Sequence, residues 1–133
     1  MDFEIKNKYD FSDLVEIMKI LRSPDGCPWD REQSHKSIRR DFLEECYEAI
    51  EAIDTDDKEL LEEELGDVLF SAVNVARFAD VDPEEALHAA CEKFIRRYRA
   101  MESEAQNRGL TLSELPLEQQ EELYQFVKRE QGL

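Results

Sequence analysis

The side chains best suited to chemistry are carboxylates set three apart: Glu44-Glu45-x-x-Glu48, and further along the chain Glu64-x-x-Asp67. In an α-helix each residue advances about 100°, so positions three apart stand within roughly 60° of each other on one face. Glu45 and Glu48 therefore point the same way, as do Glu64 and Asp67. Thr55, Asp56 and Asp57 lie between the two helical runs, and a short connection makes consecutive helices antiparallel neighbours that can bring both pairs together. Four converging negative charges repel unless cations sit between them or some acids keep their protons. The spacing thus asks for a metal.

The helix carrying the second pair sharpens this expectation. From Leu65 to Ala79 its non-apolar residues are only Gly66, Asp67, Ser71, Asn74 and Arg77, and a helix apolar on most sides is expected to be buried. Glu64, Asp67, Ser71 and Asn74 fall on one narrow polar stripe, which reads as the wall of a wet internal cleft. The plainer reading is that Asp67 pairs with Arg77 or a more distant base, since a buried acid needs some partner.

The elements that must position these acids are helical throughout. Leu14, Val15, Ile17, Met18 and Leu21 set a first helix over Phe11 to Arg22, capped by Ser12 or Asp10. Ser23-Pro24-Asp25-Gly26-Cys27-Pro28-Trp29-Asp30 breaks it. A second helix spans about Ser34 to Ile53 and is expected to bury Ile38, Phe42, Cys46, Ala49, Ile50 and Ile53; a third spans about Lys58 to Ala79. Asp82-Pro83 opens a fourth helix ending at Gly109, with Leu87, Cys91, Phe94, Tyr98 and Met101 at the alternating spacings of a bundle seam. After a turn around Leu110 to Pro116, a last helix runs from about Leu117 to Arg129. No segment alternates with period two, so the expected fold is an all-α antiparallel bundle of four to five helices, one domain over residues 1–133, self-associating as a homodimer or homotetramer.

Bulk properties narrow the partners. A net charge of −16 argues against nucleic acid and against an anionic membrane, although metal ions can invert the local sign for a phosphate-bearing small molecule. Cys27, Cys46 and Cys91 form no C-x-x-C pair and read as reduced thiols, and the chain shows neither an apolar run near eighteen residues nor a leader, which together point to a cytoplasmic protein. Lys93, Arg96 and Arg97 share one side of the fourth helix and can either grip phosphates or dress a solvated face. A second basic group, Lys19, Arg22, Lys36, Arg39 and Arg40, surrounds the Pro-rich turn, where Trp29 can stack on a base or plug a core.

With these residues in place, the chain resembles the MazG-type nucleoside triphosphate pyrophosphohydrolases over nearly its whole length. Leu21-Arg22-Ser23-Pro24-Asp25-Gly26-Cys27-Pro28-Trp29-Asp30, continuing through Gln33, Ser34, His35 and Lys36, is similar to the family's N-terminal signature. The two acidic blocks resemble its EExxE and ExxD metal motifs, and Lys93-Phe94-Ile95-Arg96-Arg97 its basic segment. The resemblance implies Mg²⁺-dependent cleavage between the α- and β-phosphates on a helical dimer or higher oligomer, with Mn²⁺ able to substitute. It places metal ligands at Glu45, Glu48, Glu64 and Asp67, and triphosphate contacts at Lys93, Arg96 and Arg97, with Trp29 and Lys36 as further substrate contacts. Four acids suit more than one Mg²⁺ per site. Glu44 points away from the apolar face, which suits it to steady a ligand from behind or to act as a base alongside Glu45 and Glu48. Two departures bear on nucleotide preference: many relatives carry two such domains in tandem, and Tyr124 stands where relatives commonly have tryptophan.

Two other classes compete. Glu32-x-x-His35 and Glu85-x-x-His88 are the pairs a ferritin-like di-iron bundle would use. A non-catalytic acidic helical interaction protein, even a nucleic-acid mimic, would suit the charge but leaves the lone acid in an apolar helix unexplained.

Overall fold

Four of the five helices start where a short polar side chain satisfies free backbone N–H groups, and the last starts at Pro116 without such a cap. Asp10 accepts from the Asp13 N–H at 2.9 Å while the Asp13 carboxylate takes the Asp10 N–H at 2.8 Å, closing a capping box that opens α1, Phe11–Leu21. Ser34 and Ser37 exchange the same pair of bonds at the start of α2, His35–Ile53. Asp57 caps α3, Lys58–Phe78, through the Leu60 N–H. Asp82 receives the N–H groups of Glu84 and Glu85 at the start of α4, Pro83–Asn107. A 3₁₀ turn at Leu112–Glu114 leads to α5, Leu117–Glu130. Caps of this kind are each worth about 1 kcal/mol. The computed structural model describes residues 2–28 and 32–132, and among them there is no strand. The expected all-α class is what forms, and Trp29 and Asp30 lie outside the described residues.

The chain divides into two compact units, Met1–Glu85 and Ala86–Leu133. In the first, α2 and α3 pack side by side as an antiparallel hairpin and α1 lies against α3. The hairpin turn is tight because the Thr55 hydroxyl donates to the Ala52 carbonyl at 2.7 Å and takes the Asp57 N–H at 3.3 Å. Val15 and Met18 of α1 close on Val73 of α3, with Phe11, Leu14 and Leu21 around them. Fully burying side chains of this size stabilises by roughly 1.5–3 kcal/mol each. The turn after α1 folds back on its end, with the Cys27 N–H donating to the Leu21 carbonyl at 2.9 Å. Gly26 is obligatory there, since a β-carbon would stand 2.3 Å from the Ile20 carbonyl oxygen.

In the second unit, Met101 and Ala105 of α4 close on Leu112 of the 3₁₀ turn and on Leu123 and Val127 of α5. Gly109, at φ +72°, lets the chain leave α4 through a left-handed residue, and the Leu110 N–H reaches back to the Ala105 carbonyl at 2.8 Å.

Several expectations about burial are corrected. The apolar flanks of α3 are not enclosed: Leu65, Leu69 and Phe70 are 47%, 58% and 40% exposed, and Val73 is its one buried residue. Ile50 and Ile53 of α2 are likewise exposed, while Ile38 and Ala49 are buried as expected. On α4 the seam residues Leu87, Cys91, Phe94 and Tyr98 are exposed and only Met101 is buried. The reason is geometric. A helix apolar on several sides needs neighbours on each; within the first unit α3 packs mainly on α1 and α2, and within the second the core shared with α5 takes in Met101 and Ala105 of α4.

Helix α3 ends through Asp80, a non-glycine residue at φ 58°, with the Val81 N–H bonded to the Ala76 carbonyl at 2.8 Å. Left-handed backbone penalises a β-carbon, and a carboxylate beside a helix C-terminus opposes its dipole. Asp80→Gly should therefore raise stability by about 1 kcal/mol, read as a higher urea midpoint at unchanged slope.

Candidate metal and phosphate site

The hairpin turns sequence spacing into a constellation. Glu45 and Glu48 stand on the face of α2 that meets α3, and Glu64 answers from α3; one carboxylate oxygen from each lies within 4.8 Å of the others. Glu45 and Glu64 are half-buried and Glu48 is exposed, so the site is a groove at the helix–helix seam rather than an interior cavity. Asp67 stands outside this tight trio and is exposed, yet its charge acts on both Glu45 and Glu64. Glu44 is exposed and also acts on Glu45.

The electrostatics are those of acids without a counterion. Burial is the largest cause holding the Glu45 carboxyl above the ordinary glutamate range, followed by the charges of Glu48, Asp67, Glu44 and Asp41. For Glu64 burial again comes first, then the charge of Glu48, a hydrogen bond shared with it, and the charges of Asp67 and Glu63. The Glu64 Oε2 atom is buried without a hydrogen-bond partner. No lysine or arginine among the described residues forms an ion pair with any of the four acids within 4.0 Å. The Asp67–Arg77 pair is therefore not formed, and the Arg77 Nε is itself buried without a partner. Clustered hard oxygens, one of them orphaned, fit a divalent cation of the Mg²⁺ kind.

Asp41 is the contributor that spacing arguments passed over. It sits four residues before Glu45 on the same face of α2, and the i, i+4 relation was its signal. The histidines take no part in an acidic cluster: His88 Nε2 pairs with Glu92 at 3.2 Å, not with Glu85, and the His35 ring lies tilted 6.4 Å from that of Phe78. The di-iron pairing is thus not assembled among the described residues.

The basic residues of α4 separate. Lys93 and Arg96 are exposed, whereas Arg97 is buried and donates from Nη1 to the Tyr124 hydroxyl at 2.9 Å. Lys36 is exposed on the first turn of α2. Trp29 lies outside the described residues. Cys27, Cys46 and Cys91 are free thiols, and no helix of the described residues is long and apolar enough to cross a membrane.

The described residues are thus helical and gather carboxylates across one helix pair, the donor set of a hard-cation site. Comparison with known proteins makes this specific. Residues 33–101 match the family model of the MazG nucleotide pyrophosphohydrolase domain, a span that contains all four acids and Lys93, Arg96 and Arg97. The chain is 47% identical over 92 residues to the nucleoside triphosphate pyrophosphohydrolase/pyrophosphatase MazG of Thermotoga maritima, covering 66% of this chain and 36% of that protein. It is 46% identical over 94 residues to the nucleoside triphosphate pyrophosphohydrolase of Escherichia coli, covering 71% and 35%. The chain belongs to the MazG nucleotide pyrophosphohydrolase family. It spans about a third of the length of these curated relatives.

The raised carboxyls set the pH response. Glu45 and Glu64 keep their protons to higher pH when folded than when unfolded, so the native state binds more protons just above the ordinary glutamate range. The contribution of these two carboxyls to metal-free stability is therefore full below that range and falls as pH rises through it. At neutral pH, Mg²⁺ at a hundred times its dissociation constant should restore about 2.7 kcal/mol, read as a rise in melting temperature. Glu64→Gln should raise metal-free stability at neutral pH and weaken the response to Mg²⁺.

Proposed function

We propose that the chain is a metal-dependent nucleoside triphosphate pyrophosphohydrolase that adds water across the bridge between the α- and β-phosphates, releasing a nucleoside monophosphate and pyrophosphate. The observation that carries this reading is the meeting of Glu45, Glu48 and Glu64 oxygens within 4.8 Å in a chain of the MazG family. The names of the Thermotoga and Escherichia relatives support the reaction class.

Glu45, Glu48, Glu64 and Asp67 would hold Mg²⁺, with Mn²⁺ as a substitute and more than one ion for four acids. Bound there, such ions supply a water of lowered pKa and neutralise phosphate charge. Glu44, exposed and next to Glu45 in the chain, would receive a proton or steady Glu45 from behind. Lys93, Arg96 and Arg97 bring the positive charge that a triphosphate needs, and Lys36 and Trp29 are further contacts for the substrate. The sequence gives Ser71 no recognisable Ser-His-acid setting and the three cysteines no obvious activating base, which favours direct attack by water over a covalent enzyme intermediate.

The exposed apolar faces of α2 and α3, including Leu43, Tyr47, Leu65 and Leu69, support self-association as a homodimer or homotetramer. The chain's charge of −16 and its lack of a membrane-crossing helix among the described residues favour a small-molecule partner over nucleic acid or lipid.

A panel of nucleoside triphosphates with Mg²⁺, scored for pyrophosphate against orthophosphate, tests the reaction directly. Pyrophosphate and monophosphate should appear in equal amounts. Release of orthophosphate alone would defeat the assignment. Glu48→Ala and Asp67→Asn should each lower turnover by at least about 100-fold while the far-ultraviolet helical signal is kept.

A further inference from the structure

Arg97 is the one charged residue among the described residues that the fold buries, at 8% exposure. Its Nη1 donates to the Tyr124 hydroxyl at 2.9 Å, and its guanidinium carbon lies 5.8 Å from the centroid of the same ring. Its Nε is buried without a hydrogen-bond partner. No carboxylate among the described residues comes within 4.0 Å of it.

Scarcity of acids is not the reason, for the chain has 33 acidic residues against 17 basic ones. A guanidinium withdrawn from water normally takes a carboxylate, because an unpaired buried charge is costly. A phenol oxygen and a ring face compensate only in part. The hydroxyl is well fixed, because Tyr124 packs on the core built from Met101, Leu123 and Val127. Arginine suits this role because its planar donor fork can hold one partner and still offer N–H groups to an oxyanion.

We propose that Tyr124 is a positioning residue: its hydroxyl and ring fix the Arg97 guanidinium with donors left over for the oxygens of a polyphosphate. The identity of the anion rests on the pyrophosphohydrolase reading; the Tyr124–Arg97 arrangement does not.

The test is calorimetric titration of the full chain with inorganic tripolyphosphate in magnesium buffer, for wild type, Tyr124→Phe, Arg97→Lys and the double variant. Tyr124→Phe should weaken binding about tenfold, and the same change in the Arg97→Lys background should cost less than about twofold. Tyr124→Trp keeps an aromatic ring but no acceptor and should behave as the phenylalanine variant does. Unchanged affinity in Tyr124→Phe, equal losses in both backgrounds, or no tripolyphosphate binding by wild type would overturn the proposal. Coupled losses in a chain that releases no pyrophosphate from any nucleoside triphosphate would uphold the positioning role and end the hydrolase reading. Turnover with additive losses would do the reverse.

Discussion

Repulsion among carboxylates at the α2–α3 seam is the constraint on which the rest depends. Glu45, Glu48 and Glu64 are brought together by a hairpin whose turn is closed by Thr55 and whose second helix is started by Asp57. Burial first, and the neighbouring carboxylates after it, hold the Glu45 and Glu64 carboxyls above the ordinary glutamate range, and the Glu64 Oε2 is buried without a hydrogen-bond partner. Among the described residues no lysine or arginine pairs with these acids within 4.0 Å, so their charge stays uncompensated there. The packing of α1 on α3 through Val15, Met18 and Val73 supplies stability against which this cost is set.

The two units manage charge in opposite ways. In the first, negative charge is concentrated and left without a counterion; in the second, a single positive charge, Arg97, is buried against a neutral partner, the Tyr124 phenol. Neither arrangement is how a protein stabilises itself for its own sake, since surface pairs such as Arg108–Glu104 at 2.9 Å were available on the same helix as Arg97. Neither set of atoms finds a partner of opposite sign within 4.0 Å among the described residues.

Most of the helical layout was legible in the residues. Helical spacing marked the first helix and the α4 seam, and Asp10, offered beside Ser12, with Asp82 and Gly109 marked helix ends, because capping and period are local properties that need no tertiary partner. The acids of the seam were legible for the same reason: two carboxylates three apart on each of two consecutive helices can hardly avoid one another across a short turn. The contribution of Asp41 was readable by the same rule at a spacing of four.

Burial was not legible in this way, because it depends on which neighbours arrive. The apolar composition of α3 predicted enclosure, and the fold leaves Leu65, Leu69 and Phe70 in solvent. The α4 seam predicted a partner helix along its length, and the core shared with α5 takes in Met101 and Ala105 of α4. The apparent basic triad was one pattern in sequence, and tertiary packing divided it, turning Arg97 inward to Tyr124 while Lys93 and Arg96 stay exposed. Sequence alone therefore determined the helices, their caps and the face on which the acids stand, since these follow from backbone geometry over a few residues. The tertiary structure decided which of those acids touch, how deeply each lies and which arginine loses its water, since desolvation and charge proximity are set by residues distant in the chain.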